Sequence, residues 1–261
     1  MIQFFKATDE RREAGPLECW CLHGAVGLAA DWRNLAKQLA TAGIGSQAVD
    51  LWRFLECCPL PLPEFGKALN ADAGGQVFCG SGRGLLGYSM GGRMALHALL
   101  ENEHPWQVAV LVSCHPGLED DTERAARRMA DVEWASQALA GNWQEFLAAW
   151  NAQPLLGTAL AREPHFASAL MQRRREVARS FVDWSLGAQD ALWQRLGEIS
   201  IPVLWVAGEN DSKFRALAER ASSSMPHASL AIAPGAGHRV PWEAADWFAE
   251  TVSKFLKRGI V

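Results

Sequence analysis

The chain has 261 residues, 49% of them hydrophobic and 21% charged, with a formal net charge of −4 at pH 7. That length suits one large α/β domain, or one domain carrying an insertion, and can bury a full core. A slightly acidic balance gives no electrostatic reason to expect nucleic acid or an anionic membrane as partner.

No apolar stretch approaches the roughly 20 residues needed to span a bilayer, and no charged opening leads into a cleavable apolar run, so the sequence predicts a cytoplasmic protein. The six cysteines, Cys19, Cys21, Cys57, Cys58, Cys79 and Cys114, contain no C-x-x-C pair. They predict reduced core thiols, with no metal and no cofactor.

In chain order, Met1 to Lys6 has the apolar alternation of a strand, broken by Gln3, and Leu17 to Leu22 reads as a second strand. It runs into His23-Gly24-Ala25-Val26-Gly27, a turn whose Ala25 N–H is a candidate oxyanion donor. Asp31 to Leu39 carries a helical period, and Ala48 to Leu51 reads as a short strand. Residues 52 to 82 are punctuated by Pro59, Pro61 and Pro63, with a short helix predicted over Glu64 to Ala71.

Gly87-Tyr88-Ser89-Met90-Gly91-Gly92 then follows the apolar Leu85 and Leu86 and precedes a helix-forming run, Arg93 to Leu100. Strand, G-x-S-x-G and helix make the setting of a nucleophile elbow, which lifts Ser89 Oγ clear of the sheet and offers the Met90 N–H to a developing negative charge. The pentapeptide alone is weak; its value depends on a base and an orienting acid elsewhere in the chain. Gln107 to Ser113 is an apolar, β-branched run suited to a sheet covered on both faces.

From about 119 to 190 strand signals vanish. Thr122 to Leu139, Trp143 to Trp150, Phe166 to Val177 and Ala178 to Leu186 read as helices, several with arginine clusters. Sheet patterning resumes at Ile201 to Ala207 and at Ser229 to Ala233, and Trp242 to Leu256 closes the chain as an amphipathic helix. The pattern predicts a doubly wound, mostly parallel sheet with an inserted helical cap: core residues 1–118 and 191–261, cap 119–190.

Gly208-Glu209-Asn210-Asp211 and Gly235-Ala236-Gly237-His238 each follow a predicted strand, where open α/β sheets place their sites. The order Ser89, Asp211, His238 is that of α/β-hydrolase triads. In that arrangement His238 accepts the Ser89 proton and Asp211 fixes the imidazole tautomer. Two simpler readings stay open: Asp211 as a cap of the next turn, and Glu209 as the acid instead.

These residues together resemble an α/β-hydrolase-fold protein over nearly the whole chain. Within that superfamily the chain is similar to the 2-succinyl-6-hydroxy-2,4-cyclohexadiene-1-carboxylate synthases, pyruvate-eliminating lyases of menaquinone biosynthesis. The similarity rests on Gly87 to Arg93, on His115-Pro116-Gly117-Leu118 followed by a helix with Arg124 and Arg127, on Trp150 with Gln153-Pro154, and on Gly208 to Phe214. It implies a small-molecule polycarboxylate substrate, held by Tyr88, Arg93, Arg124, Arg127, Trp150 and one of Arg173 to Arg175, of which Arg173 is the first candidate. Planar guanidinium groups suit such a substrate because they bind carboxylates bidentately. It also implies that Ser89 acts as a base rather than forming an acyl-enzyme. A carboxylesterase or carbon–carbon hydrolase with Ser89 as covalent nucleophile is the alternative activity, and a non-catalytic relative that only binds a small molecule is a third.

Overall fold

The computed structural model describes residues 17–76, 80, 82–157 and 165–259. The strand expected over Met1 to Lys6, and Cys79, lie outside them. Among the described residues six parallel strands form one sheet in the order β2-β1-β3-β4-β5-β6. They are β1 (Leu17–Leu22), β2 (Ile44–Val49), β3 (Gly82–Tyr88), β4 (Val108–Val112), β5 (Val203–Gly208) and β6 (Ala228–Ala233).

Side chains alternate across each strand and so feed two cores. In β1, Leu17, Cys19 and Cys21 pack on one face with Leu35 and Leu39 of α1 (Arg33–Thr41) and with Phe248, Val252 and Leu256 of α10 (Ala245–Arg258). Trp20 and Leu22 point the other way, onto α2 (Leu62–Gly75), α3 (Met90–Leu99) and α8 (Ser212–Ser223). Both faces of the sheet are therefore covered, which is why its central strands read as continuous apolar runs.

Between β4 and β5 the chain forms α4 (Asp121–Ala140), α5 (Trp143–Asn151), α6 (Phe166–Met171) and α7 (Arg174–Asp183), with no strand among the described residues. The side chains of Asp120 and Asn142 accept from the backbone N–H of Glu123 and of Gln144 and Glu145, fixing where α4 and α5 begin. No helix among the described residues is long and apolar enough to cross a membrane.

Several expectations need correction. β2 begins four residues and ends two residues before the expected Ala48 to Leu51, and Leu51 opens a 3-10 turn, Leu51–Leu55, begun by the Asp50 side chain. With Gly45, Ser46 and Gln47 half exposed, and β1 its one strand partner among the described residues, β2 lacks the apolar signal of the central strands. The helix break expected between Val177 and Ala178 falls instead at Gln172 and Arg173. α8 follows Asp211 where no helix was expected, and α9 (Val240–Glu243) precedes α10. Cys19, Cys21 and Cys114 are buried free thiols as expected, whereas Cys57 and Cys58 are exposed on the loop before α2.

Strand order reverses between β1 and β3, because β2 lies outside β1 and every later strand adds on the other side. Ligands of open α/β sheets bind at the carboxyl ends of strands beside such a switch point. The loops carrying Ala25 and Ser89 leave the sheet there.

Candidate active site

Ser89 joins β3 to α3 with a backbone of φ 52° and ψ −110°, a strained conformation for a non-glycine residue. Neighbouring structure holds it in place: Ser89 N–H donates to Val112 O at 2.8 Å, and Arg93 N–H donates to Ser89 O at 3.2 Å. The flanking glycines follow from packing. A Cβ on Gly87 would enter the backbone of Gly91, and one on Gly91 would meet the carbonyl oxygens of Leu22 and His23. Met90 is the first residue of α3, so its N–H has no intrahelical acceptor and points out of the helix start.

Asp211 and His238 reach Ser89 from the tips of β5 and β6. His238 Nδ1–H donates to Asp211 Oδ2 at 2.8 Å, and Ser89 Oγ–H donates to His238 Nε2 at 3.2 Å. A carboxylate oxygen only accepts, so the contact to Asp211 puts the ring proton on Nδ1 and leaves the Nε2 lone pair facing Ser89. The other Asp211 oxygen, Oδ1, accepts from Phe214 N–H at 3.2 Å and caps α8. Capping and orienting are thus both done by Asp211, one oxygen for each. Glu209, the alternative acid, is exposed and accepts from Gly235 N–H instead.

The imidazole is held on its other sides too. The Phe214 ring lies edge-on to it, with centroids 4.4 Å apart, and Tyr88 packs against it at 5.7 Å. Ser113, also at positive φ, donates its hydroxyl to His238 O at 2.9 Å.

In front of Ser89 and His238 lies a cavity of about 250 Å³, whose walls include Ala25, Met90, Arg93, Arg127 and Trp150. Arg93 is buried and donates to Gln189 Oε1 at 3.0 Å and to Trp184 O at 2.8 Å. Burial, and then the nearby Arg127 charge, bring its pKa down to about 10, so it stays cationic at neutral pH. Arg127 Nε donates to both oxygens of buried Asp131 at 2.9 Å, and Ser185 Oγ–H donates to Asp131 Oδ2 at 2.7 Å. Trp150 stands edge-on to Trp134 and Phe181, both at 5.2 Å, and borders a smaller recess shared with Tyr88 and Arg239.

Two of the expected arginines are not brought to the cavity. Arg124 donates to Gly187 O and faces Asp121 and Asp190. Arg173 binds Asp50 and Glu56, tying the start of α7 to the loop after β2. Of its neighbours, Arg174 donates to Ala138 O and Gly141 O, and Arg175 is exposed and not among the cavity residues.

Comparison with known proteins places the chain in a family. A family model described as serine aminopeptidase, S33, matches residues 73–245. A 2-succinyl-6-hydroxy-2,4-cyclohexadiene-1-carboxylate synthase from Pectobacterium atrosepticum is 30% identical over 251 residues, covering 94% of this chain and 96% of that protein. The chain belongs to the synthase family of that name, within the α/β-hydrolase superfamily. A Bacillus subtilis (strain 168) protein provisionally given the same name is 34% identical over 177 residues, 66% of this chain and 65% of that one. The fold of the synthase family is also that of the solved structure of MenH from S. aureus, with a TM-score of 0.77 at 23% identity, covering 94% and 95% of the two chains. The chain is accordingly an α/β-hydrolase-fold enzyme of the synthase kind.

Sequence reasoning missed Asp131, Gln189 and Ser113 as parts of this candidate site, and singled out His115 only within His115-Pro116-Gly117-Leu118, with no role in the cavity. Each is a polar residue buried at the cavity or against its walls. Nothing in the local pattern of Asp131, Gln189 and Ser113 marks them; their positions become visible only when the chain is folded.

Two buried histidines make stability depend on pH. Burial, then Arg93 and Arg195, hold His97 at about 4; burial, then Lys213, Arg93 and Arg127, hold His115 at about 3. Unfolded histidines titrate near 6.5, so between there and about 4 the unfolded chain binds more protons than the folded one. Stability from these groups is complete above about 6.5 and is lost as pH falls. The Tm of His97→Leu is therefore expected to drop less than that of the wild type between pH 7.5 and pH 5, in thermal melts of both; equal drops would contradict the assignment.

Proposed function

We propose that this enzyme eliminates pyruvate from a succinylated cyclohexene polycarboxylate, the lyase step that the family's name assigns to menaquinone biosynthesis. In this reading residues 1–118 and 191–261 form the core and 119–190 a cap. Support for the division is that α4 and α5 supply Arg127, Asp131, Trp134 and Trp150 to the cavity.

His238 Nε2 accepts the Ser89 hydroxyl proton, and Ser89 Oγ removes the acidic proton next to the substrate's ring. The electron pair left on carbon moves into the ring, its charge resting on an oxygen held by the N–H groups of Ala25 and Met90. The carbon–oxygen bond to the enolpyruvyl group breaks, and the leaving enolate takes up the proton held by His238 to become pyruvate. Asp211 keeps the ring tautomer fixed and offsets the imidazolium charge. Arg93 and Arg127 bind substrate carboxylates, and the Tyr88 hydroxyl and Trp150 indole N–H add hydrogen bonds at the mouth of the smaller recess.

The observation that carries this reading is Arg93, a buried cation within the wall that also holds Ser89 and His238. A neutral ester needs no such charge; a polycarboxylate does. Replacing Arg93 with Ala is expected to lower kcat/KM for pyruvate release about 100-fold, the loss of a charge-assisted hydrogen bond, while turnover of a neutral activated ester changes far less. Equal losses on both substrates would mean that Arg93 only braces Gln189 and the Trp184 carbonyl, and would contradict the reading. The strained elbow at Ser89 equally suits a covalent nucleophile, so ester turnover is the proper comparison.

A further inference from the structure

His115 sits just beyond β4, in the loop that follows the positive-φ residue Ser113, and lines the cavity that also holds Ser89 and His238. Its ring is buried, and its Nδ1 accepts the Gly117 N–H at 3.0 Å. An imidazole nitrogen that accepts carries no proton, so in the neutral ring the proton is on Nε2. Nε2 meets no protein acceptor among the described residues. Gln189 links this loop to Arg93: its amide donates to His115 O at 3.3 Å, while its Oε1 accepts from Arg93 Nη1 at 3.0 Å. The Phe214 ring stands beside both histidines of the cavity, with centroids 6.3 Å from His115 and 4.4 Å from His238.

We infer that His115 is a substrate-binding residue, its Nε2–H donating to a carboxylate oxygen of the bound substrate in the cavity walled by Arg93 and Arg127. The inference rests on the polycarboxylate reading above. Three things point to a carboxylate as the acceptor. The ring offers a donor with no protein partner. The same cavity holds two guanidinium groups, which draw an anion rather than a neutral carbonyl. Those cations, together with Lys213 and burial, also keep the ring neutral, so His115 stays a donor of fixed polarity through the working pH range. Unlike His238, it is therefore no proton carrier. It contributes a directional hydrogen bond that charge alone does not supply, selecting where on the substrate the carboxylate must lie.

The two nitrogens can be separated by substitution. In His115→Asn the short amide oxygen can take over from Nδ1 and accept the Gly117 N–H, but nothing replaces Nε2–H. His115→Gln can place an amide N–H near Nε2. The Asn variant is expected to raise KM for pyruvate release about tenfold with kcat little changed, and Gln to recover part of the loss. A purely structural His115 predicts the opposite order, with Asn nearly normal.

A second readout needs no turnover. In the ¹⁵N-histidine-labelled wild type, His115 should show a protonated Nε2 and an unprotonated Nδ1 across neutral pH, and succinate should shift the Nε2–H signal. A proton on Nδ1, or a His115 signal that stays still at succinate concentrations that inhibit pyruvate release, would overturn the inference. A chain that releases no pyruvate yet shows that shift would sink the lyase reading and leave the carboxylate contact standing.

Discussion

With Ser89 replaced by Ala, pyruvate release is expected to fall about 10⁶-fold, the scale on which loss of a triad hydroxyl is felt, while the protein stays folded. The Ser89 hydroxyl makes one contact that matters, with His238 Nε2 at 3.2 Å. Its backbone carries the elbow, and alanine can occupy the same left-handed φ at similar cost. The N–H groups of Ala25 and Met90 and the cationic wall survive in the variant, so ligand binding should persist when kcat is lost. Calorimetric titration of succinate into wild type and variant would check this: an unchanged Kd with kcat lost fits a proton-transfer role. A variant that keeps most of its pyruvate release would remove Ser89 from the chemistry altogether.

Gly91→Ala should damage the fold itself. The added methyl would lie within 2.6 Å of His23 O and against the Leu22 carbonyl, both backbone atoms at the end of β1. β1 is paired on both sides, by β2 and β3, so it cannot withdraw without breaking ladder hydrogen bonds. A loss of about 4 kcal/mol is expected, among the largest that single substitutions produce. For a domain of this size that is a fall in Tm of roughly 10 °C. Pyruvate release should fail as well, because the loop carrying Ala25 follows directly from the displaced residues. Calorimetry showing Tm within a degree or two of wild type would mean that the elbow and β1 are not in the contact described.

Much of this architecture is legible in the chain because central parallel strands must be apolar on both faces. β1 was expected with the bounds it has, and Gln107 to Ser113 brackets β4. β2 was misplaced for the same reason in reverse: Gly45, Ser46 and Gln47 are half exposed and need not be apolar. α8 went unread because its buried face is Phe214, Ala218 and Ala221, two of them too small to mark a helical period. Along α6 and α7 the arginine run conceals the break, since the turn at Arg173 is set by partners from Asp50 and Glu56, more than a hundred residues earlier.

The site divides along similar lines. Ser89, Asp211 and His238 can be placed together from sequence because each follows a strand of one parallel sheet, and strand tips converge at one edge. The direction of a helix-borne arginine carries no such guarantee. Arg124 and Arg127 share a face by spacing, yet Arg127 enters the cavity and Arg124 turns to Asp121 and Asp190. Asp131, one helical turn beyond Arg127, is invisible as a site residue in sequence because an acid in an anion-binding cavity is unexpected. In the fold it is explained by the Arg127 guanidinium and Ser185 hydroxyl that bind it.

The central claim is that a serine relay in a cationic cavity performs elimination rather than ester hydrolysis. Its most direct measurement is the rate of pyruvate appearance from the succinylated cyclohexene substrate, set beside hydrolysis of a simple activated ester by the same wild-type preparation. The account predicts rapid pyruvate release and slow ester turnover. Good ester hydrolysis with no pyruvate would contradict it.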